Sequence, residues 1–275
     1  MSPLNSTVLT LIFLALWLAG TTSAQPLAQP AVAQPPARKQ TAVPIDPVQL
    51  ETTRQLLDWL GVDAIVEQTP LIADQALLSE AKFRAATSAQ QAEWRRQLTP
   101  QFNTTTLRER IARSVAQQVD PQTLQQALAL LQMPLPRRAR YFELAMAQSG
   151  AGAGLKEFRA QFDATPNPAR RQLARGLVDA SAGAELLAQW QTSISVAVAH
   201  SAEPAAARDT WAKTQEDAVK ERTRHLATLA EAHALYTYRY LTDAELETYR
   251  DTLNHAAIQR ILEVCRHNLA QALTE

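Results

Sequence analysis

Val219, Leu226, Leu229, His233, Tyr236 and Tyr240 follow one another at spacings of seven, three, four, three and four. Those intervals place all six on one seam of an α-helix. No Pro or Gly interrupts residues 205–241, so the pattern predicts one long helix there, running through the centre of a bundle. A comparable seam of Ile258, Ile261, Cys265, Leu269 and Ala272 predicts a C-terminal helix packed close to it.

Earlier in the chain the apolar positions are punctuated by start and stop signals. Asp46, Pro47 and Gln49 combine an N-cap, a proline at the first helical position and a capping-box glutamine. Leu56, Leu57 and Leu60 lead to Gly61 as a stop, Pro70 breaks or kinks the following run, and Ser88 with Gln91 reads as a second capping box. Asp120-Pro121 and Asn167-Pro168 each open a further helix. "TSISVAVA" at 192–199 alternates like a strand, but it lies in a longer Ala- and Leu-rich run without turn residues. A lone strand would have no partner, so helix is expected. Seven glycines in 275 residues, three of them in "GAGAG" at 150–154, also disfavour an all-β chain. The predicted fold is all-α, a multi-helix bundle around a long central helix.

Two stretches hint at an internal repeat. "LLDWLGVDAIVEQ" at 56–68 and "LVDASAGAELLAQ" at 177–189 align without gaps, with three identities in thirteen, and apolar positions 57, 65 and 66 meet apolar 178, 186 and 187. The expectation is two related helical halves, 46–165 and 166–275.

The N-terminus changes the picture from fold to location. Residues 8–19 are apolar apart from Thr10, small residues follow in "GTTSA", and the chain then turns polar. This is the layout of a signal peptide over residues 1–24, cleaved between Ala24 and Gln25, although no Lys or Arg precedes the apolar run. The run is shorter than the roughly 20 residues a bilayer span needs, so no stable membrane span is expected after cleavage. Residues 25–45, rich in Pro, Ala and Gln, bury too little apolar surface to fold and are expected to form a disordered linker to a helical domain at 46–275. A periplasmic or secreted location follows from that reading. The single thiol, Cys265, excludes an intramolecular disulfide, so a hydrophobic core must carry the stability.

Twenty-seven basic residues balance twenty-seven acidic ones, and the chain lacks the electrostatic footprint of a nucleic-acid binder. The local clusters "PRRAR" at 136–140 and "ARR" at 169–171 are expected to be solvated helix faces.

Residues 238–269 carry one resemblance. Leu241, Thr242, Asp243, Glu245, Leu246 and Tyr249, after a Tyr-rich helix end, match the Leu-Ser/Thr-Asp-x-Glu-Leu pattern and following Tyr of domain of unknown function 2059. The chain resembles that family over about 35 residues, and "LLDWLGVDAIVEQ" resembles the start of its domain. The resemblance implies an exported, all-helical bacterial protein and implies no reaction. Thr252, Ala256 and Ile258 stand where the family has Phe, Pro and Gly, so a helix continuing through 255–258 is expected here.

Candidate chemistry is sparse. No G-x-S-x-G, H-E-x-x-H, phosphate-loop or dinucleotide spacing occurs, and no cofactor is implied. Cys265 and His267, two apart, fall roughly 200 degrees apart on a helix, and no metal site is expected from them. His233 sits within the apolar seam, where a buried imidazole needs partners, beside Tyr236 and Tyr240. These three are the candidate ligand-binding residues, in a pocket between helices. The expected role is a binding or interaction module of the bacterial cell envelope, for a protein, a peptide or a small apolar ligand. The alternative is an enzyme without a recognisable motif, built around His233. "YTYRYLTDAELETY" at 236–249 otherwise reads as a joint, with a capping box between Thr242 and Glu245.

Overall fold

The computed structural model describes residues 45–146, 154–158, 167–202 and 211–273, and these form helices and turns with no strand among them. The expected signal peptide with its Ala24–Gln25 cleavage point, linker residues 25–44 and most of "GAGAG" lie outside the described residues. Ile45, grouped with the linker by its sequence, packs against the core. No helix among the described residues is long and apolar enough to cross a membrane.

In chain order the helices are α1 (Pro47–Trp59), α2 (Val62–Glu67), α3 (Thr69–Ser79), α4 (Ala81–Ala85), α5 (Ser88–Leu98), α6 (Thr104–Gln118), α7 (Pro121–Leu131) and α8 (Pro134–Met146). A short α9 at 154–158 follows, then α10 (Pro168–Ser181), α11 (Gly183–Ala202), α12 (Trp211–Thr237), α13 (Asp243–Leu253) and α14 (Ala256–Gln271). Their starts are chemically determined. Asp46, Asn103, Asp120 and Asn167 each accept a backbone N–H of the first turn, and three of the four precede a proline. Thr242 and Glu245 form the reciprocal box expected of them.

Four local expectations are corrected. Thr87 and Gln90, not Ser88 and Gln91, make the second capping box; Gln91 instead donates to the carbonyls of Phe83 and Ala86 and ties α5 to the end of α4. Gln49 makes no box, because its amide reaches across to α6. Residues 254–255 break the chain between α13 and α14, with His255 as N-cap accepting from Ala257 N, so the turn forms without Pro or Gly. "PRRAR" and "ARR" are not simply solvated: Arg138 pairs with Glu245, Arg171 and Arg175 grip the buried Glu231, and Arg140 and Arg170 reach backbone carbonyls of other helices.

The helix at the centre is α11 rather than the 211–237 helix. Every residue of α11 from Gly183 to Ala199 is at least partly buried, and α2, α3, α10, α12 and α14 all pack on it. Fully buried Trp190 donates from Nε1 to Thr69 Oγ1 at 3.0 Å, locking α11 to α3. The long α12 lies at the side, against α10 and α11, with Glu216, Lys220 and Arg224 in solvent. The C-terminal seam is buried as its spacing predicts, but it packs on α6, α7 and α11 rather than on α12.

The repeat-like stretches build the same joint. Gly61 and Ala182, which the alignment superimposes, both have left-handed φ, 74° and 51°, and no other described residue does. Each closes its joint alike: Gly61 N donates to Asp58 O and Ala182 N to Asp179 O, while Ile65 N donates to Gly61 O and Leu186 N to Ala182 O. The correspondence extends well past these thirteen residues. With a shift of 122, the distance from Pro121 to Asp243, α7 superimposes on α13 and the start of α8 on the start of α14. Hydrogen bonds fix the register independently. Gln49 on α1 donates to the carbonyls of Ala116 and Val119; Arg170, its counterpart on α10 at the 121-residue offset of the two joints, donates to those of Tyr238 and Leu241, carbonyls 122 residues after the first pair. The last helix of each set is exchanged: α14 packs on α6 and α7, whereas α8 packs on α12 and α13.

Candidate functional site

Where α8 lies over α12 and α13, a cavity of about 150 Å³ opens between the helices. Both joints reach it, Gly61 with Trp59 and Ile65 from one, Ser181 and Gly183 from the other. Its polar lining comes from Arg140, Glu143, His233, Thr237, Tyr238 and Tyr249. Tyr238 donates to Glu143 Oε1 at 2.6 Å and Tyr249 to the same oxygen at 3.1 Å. Arg140 donates from Nη1 to Glu143 Oε2 at 3.3 Å and from Nη2 to the carbonyl of Asp58 at 3.0 Å. The two tyrosine rings meet edge to face, 5.8 Å between centroids.

Burial, reinforced by the charge of Glu143, pushes both phenols well above their ordinary pKa. They therefore stay protonated and act only as donors to the shared carboxylate. Two hydroxyls and one guanidinium converge on Glu143, and His233, only 6% exposed, faces the same space from α12.

The two sets of helices supply an internal control. Shifted by 122, positions Arg140, Glu143, His233, Thr237, Tyr238 and Tyr249 correspond to Leu262, Cys265, Ile111, Val115, Ala116 and Ala127. All six counterparts are apolar and buried. At these six positions the same architecture thus carries apolar side chains in one copy and a carboxylate, a guanidinium, two phenols, a hydroxyl and an imidazole around a space in the other. Burying that polar set carries a desolvation cost which the fold itself does not require.

The three residues expected at a ligand site do not converge. His233 lines the cavity. Tyr236 turns to α9, where its ring meets Phe158 at 5.3 Å and its hydroxyl occupies the space a Cβ on Gly154 would need. Tyr240, expected on the buried seam, is 63% exposed, and Tyr238, which is not on that seam, is buried. The reason is that α12 ends at Thr237, so the 3.6-residue period stops before these side chains are placed. Sequence reasoning missed Arg140, Glu143 and Tyr249. The signal that finds them is the 122-residue shift, read for positions polar in one copy and apolar in the other.

The remaining candidates are structural. Cys265 is fully buried, and burial, with a contribution from nearby Asp63, pushes its thiol up to about 12, while His267 on the same helix is exposed. Among the described residues no group of three or more His, Cys, Asp or Glu side chains could hold a metal ion. Set against known proteins, the chain matches no family model, no curated protein and no solved structure.

Proposed function

We propose that this chain is an exported binding module whose cavity between α8, α12 and α13 holds a small, largely apolar molecule with one hydrogen-bonding end. The observation that carries the reading is the contrast between equivalent positions: six polar groups surround the cavity where the other copy has six apolar ones. A volume of about 150 Å³ suits a single ring or a short branched chain. The lining sets hydroxyl and imidazole groups among apolar side chains, so a ligand bearing one carbonyl or hydroxyl oxygen fits best. Binding is favoured over catalysis because Tyr238, Tyr249 and Arg140 occupy both oxygens of Glu143, leaving no free base at the carboxylate. The apolar run at 8–19 and the small residues that follow it support the export part of the proposal.

Ligand-observed NMR with cyclohexanone, cyclohexanol, p-cresol and benzene tests the cavity. The expected result is saturable binding of the oxygen-bearing probes, weaker binding of benzene, and loss of both in Ala234→Leu, which fills the space. Equal signals from the native chain and Ala234→Leu would remove the cavity from consideration.

A further inference from the structure

The outer face of α8 is chemically unlike the rest of the surface. Arg137, Tyr141 and Leu144, spaced four and three, share one stripe of the helix, and Met133 stands just before its first turn. Met133, Tyr141 and Leu144 are among the few exposed large apolar side chains, Tyr141 at 68%. Phe142 carries the stripe to the α12–α13 turn: its ring lies 6.1 Å from Tyr141 and 6.1 Å from Tyr240, the latter also exposed.

These rings are held in place. The Arg239 guanidinium sits 4.0 Å from the centroid of Tyr236 and 4.5 Å from that of Tyr240, and Arg138 covers Phe142 at 5.6 Å. Arg138 is neutralised by Glu245. Arg137 and Arg239 have no carboxylate partner among the described residues, so the aromatic face carries net positive charge. Exposed Tyr and Arg fixed in advance are the composition of energetically dominant interface positions, because little side-chain entropy is lost when a partner arrives.

The second copy of the architecture shows that the fold does not need this face. At the positions of Tyr141, Leu144, Tyr240, Arg137 and Arg239 it carries Glu263, Arg266, Gln118, Gln259 and Gln117, all polar and none aromatic, with Arg266 paired to Glu185 and Gln259 bonded to the carbonyls of Ala180 and Leu253. Both the aromatic groups and the two arginines are additions to one side only.

We infer that the outer face of α8, together with Tyr240 and Arg239, is a docking surface for a partner protein's acidic segment that also carries apolar side chains. Charge complementarity selects that occupant. The chain's own residues 25–44 contain Arg38 and Lys39 and no acidic residue, so they would be repelled rather than attracted. The surface is separate from the cavity, and its test does not depend on a cavity ligand.

Selection of the purified chain against a random library of displayed 12-residue peptides is the direct experiment. Enriched peptides are expected to combine Asp or Glu with Leu or aromatic residues and to weaken as salt rises. Their affinity should fall at least tenfold in Tyr141→Ala, Tyr240→Ala and Arg239→Gln. The first two side chains stand mostly in solvent, so both variants should keep the native Tm. Enrichment of basic or proline-rich peptides, no enrichment at all, or binding that survives all three substitutions would each overturn the inference. So would a concentration-dependent dimer abolished by Tyr141→Ala, which would assign the face to a second copy.

Discussion

Tyr238 and Tyr240 are two residues apart and chemically identical, yet one is buried against a carboxylate and the other stands in solvent. The difference predicts opposite costs for the same change. Tyr238→Phe removes a hydrogen bond to a charged group in a buried site and should lower stability by about 1.5–3 kcal/mol. Tyr240→Phe should change it by less than about 0.5 kcal/mol. Urea denaturation of the two variants checks this, and equal losses would mean that Tyr238 is not held as described. At this scale the sequence was legible where a side chain acts on its immediate neighbours. The caps at Asp46, Asp120, Asn167 and Thr242 could all be read from residue type and spacing, since their partners lie two or three residues away. Glu143 could not, because its partners are 95 and 106 residues away and depend on which helix α8 meets.

Helices as units were also readable, but their neighbours were not. Period and caps identify α12 and α14 as amphipathic helices, yet give no reason for α14 to choose α6 and α7, or for α11 rather than α12 to be central. One element-level feature was within reach: the thirteen-residue match at 56–68 and 177–189 marks two joints that share a left-handed residue. Gly61 is the residue suited to that conformation, whereas an L-residue such as Ala182 pays about 1–2 kcal/mol for it. Because the second joint closes around an alanine, Gly61→Ala should still fold. Its net cost should be about 0.5–1 kcal/mol, after the unfolded chain's reduced freedom is counted. Thermal or chemical denaturation measures that loss; failure to fold would show that the two joints are not equivalent.

For the molecule as a whole, the proposed export has a direct readout. Expressed in a bacterium with its own N-terminus, the chain should be recovered outside the cytoplasm beginning at Gln25, by N-terminal sequencing; recovery of intact Met1 from the cytoplasm would contradict it. The placement of α11 bears on the same question through the order of synthesis. The apolar sides of α2 and α3 are covered by a helix that ends at residue 202, and α8 waits longer still for α12 and α13. At about 5–20 residues per second, roughly 56 residues separate the end of α8 from the end of α11, a delay of about 3–11 s. Through that interval α1, α6 and α7 can already meet, while the apolar sides of α3 and α8 still lack the helices that cover them. A chain whose central helix arrives late closes late, and an unclosed chain is the form that the proposed export would require.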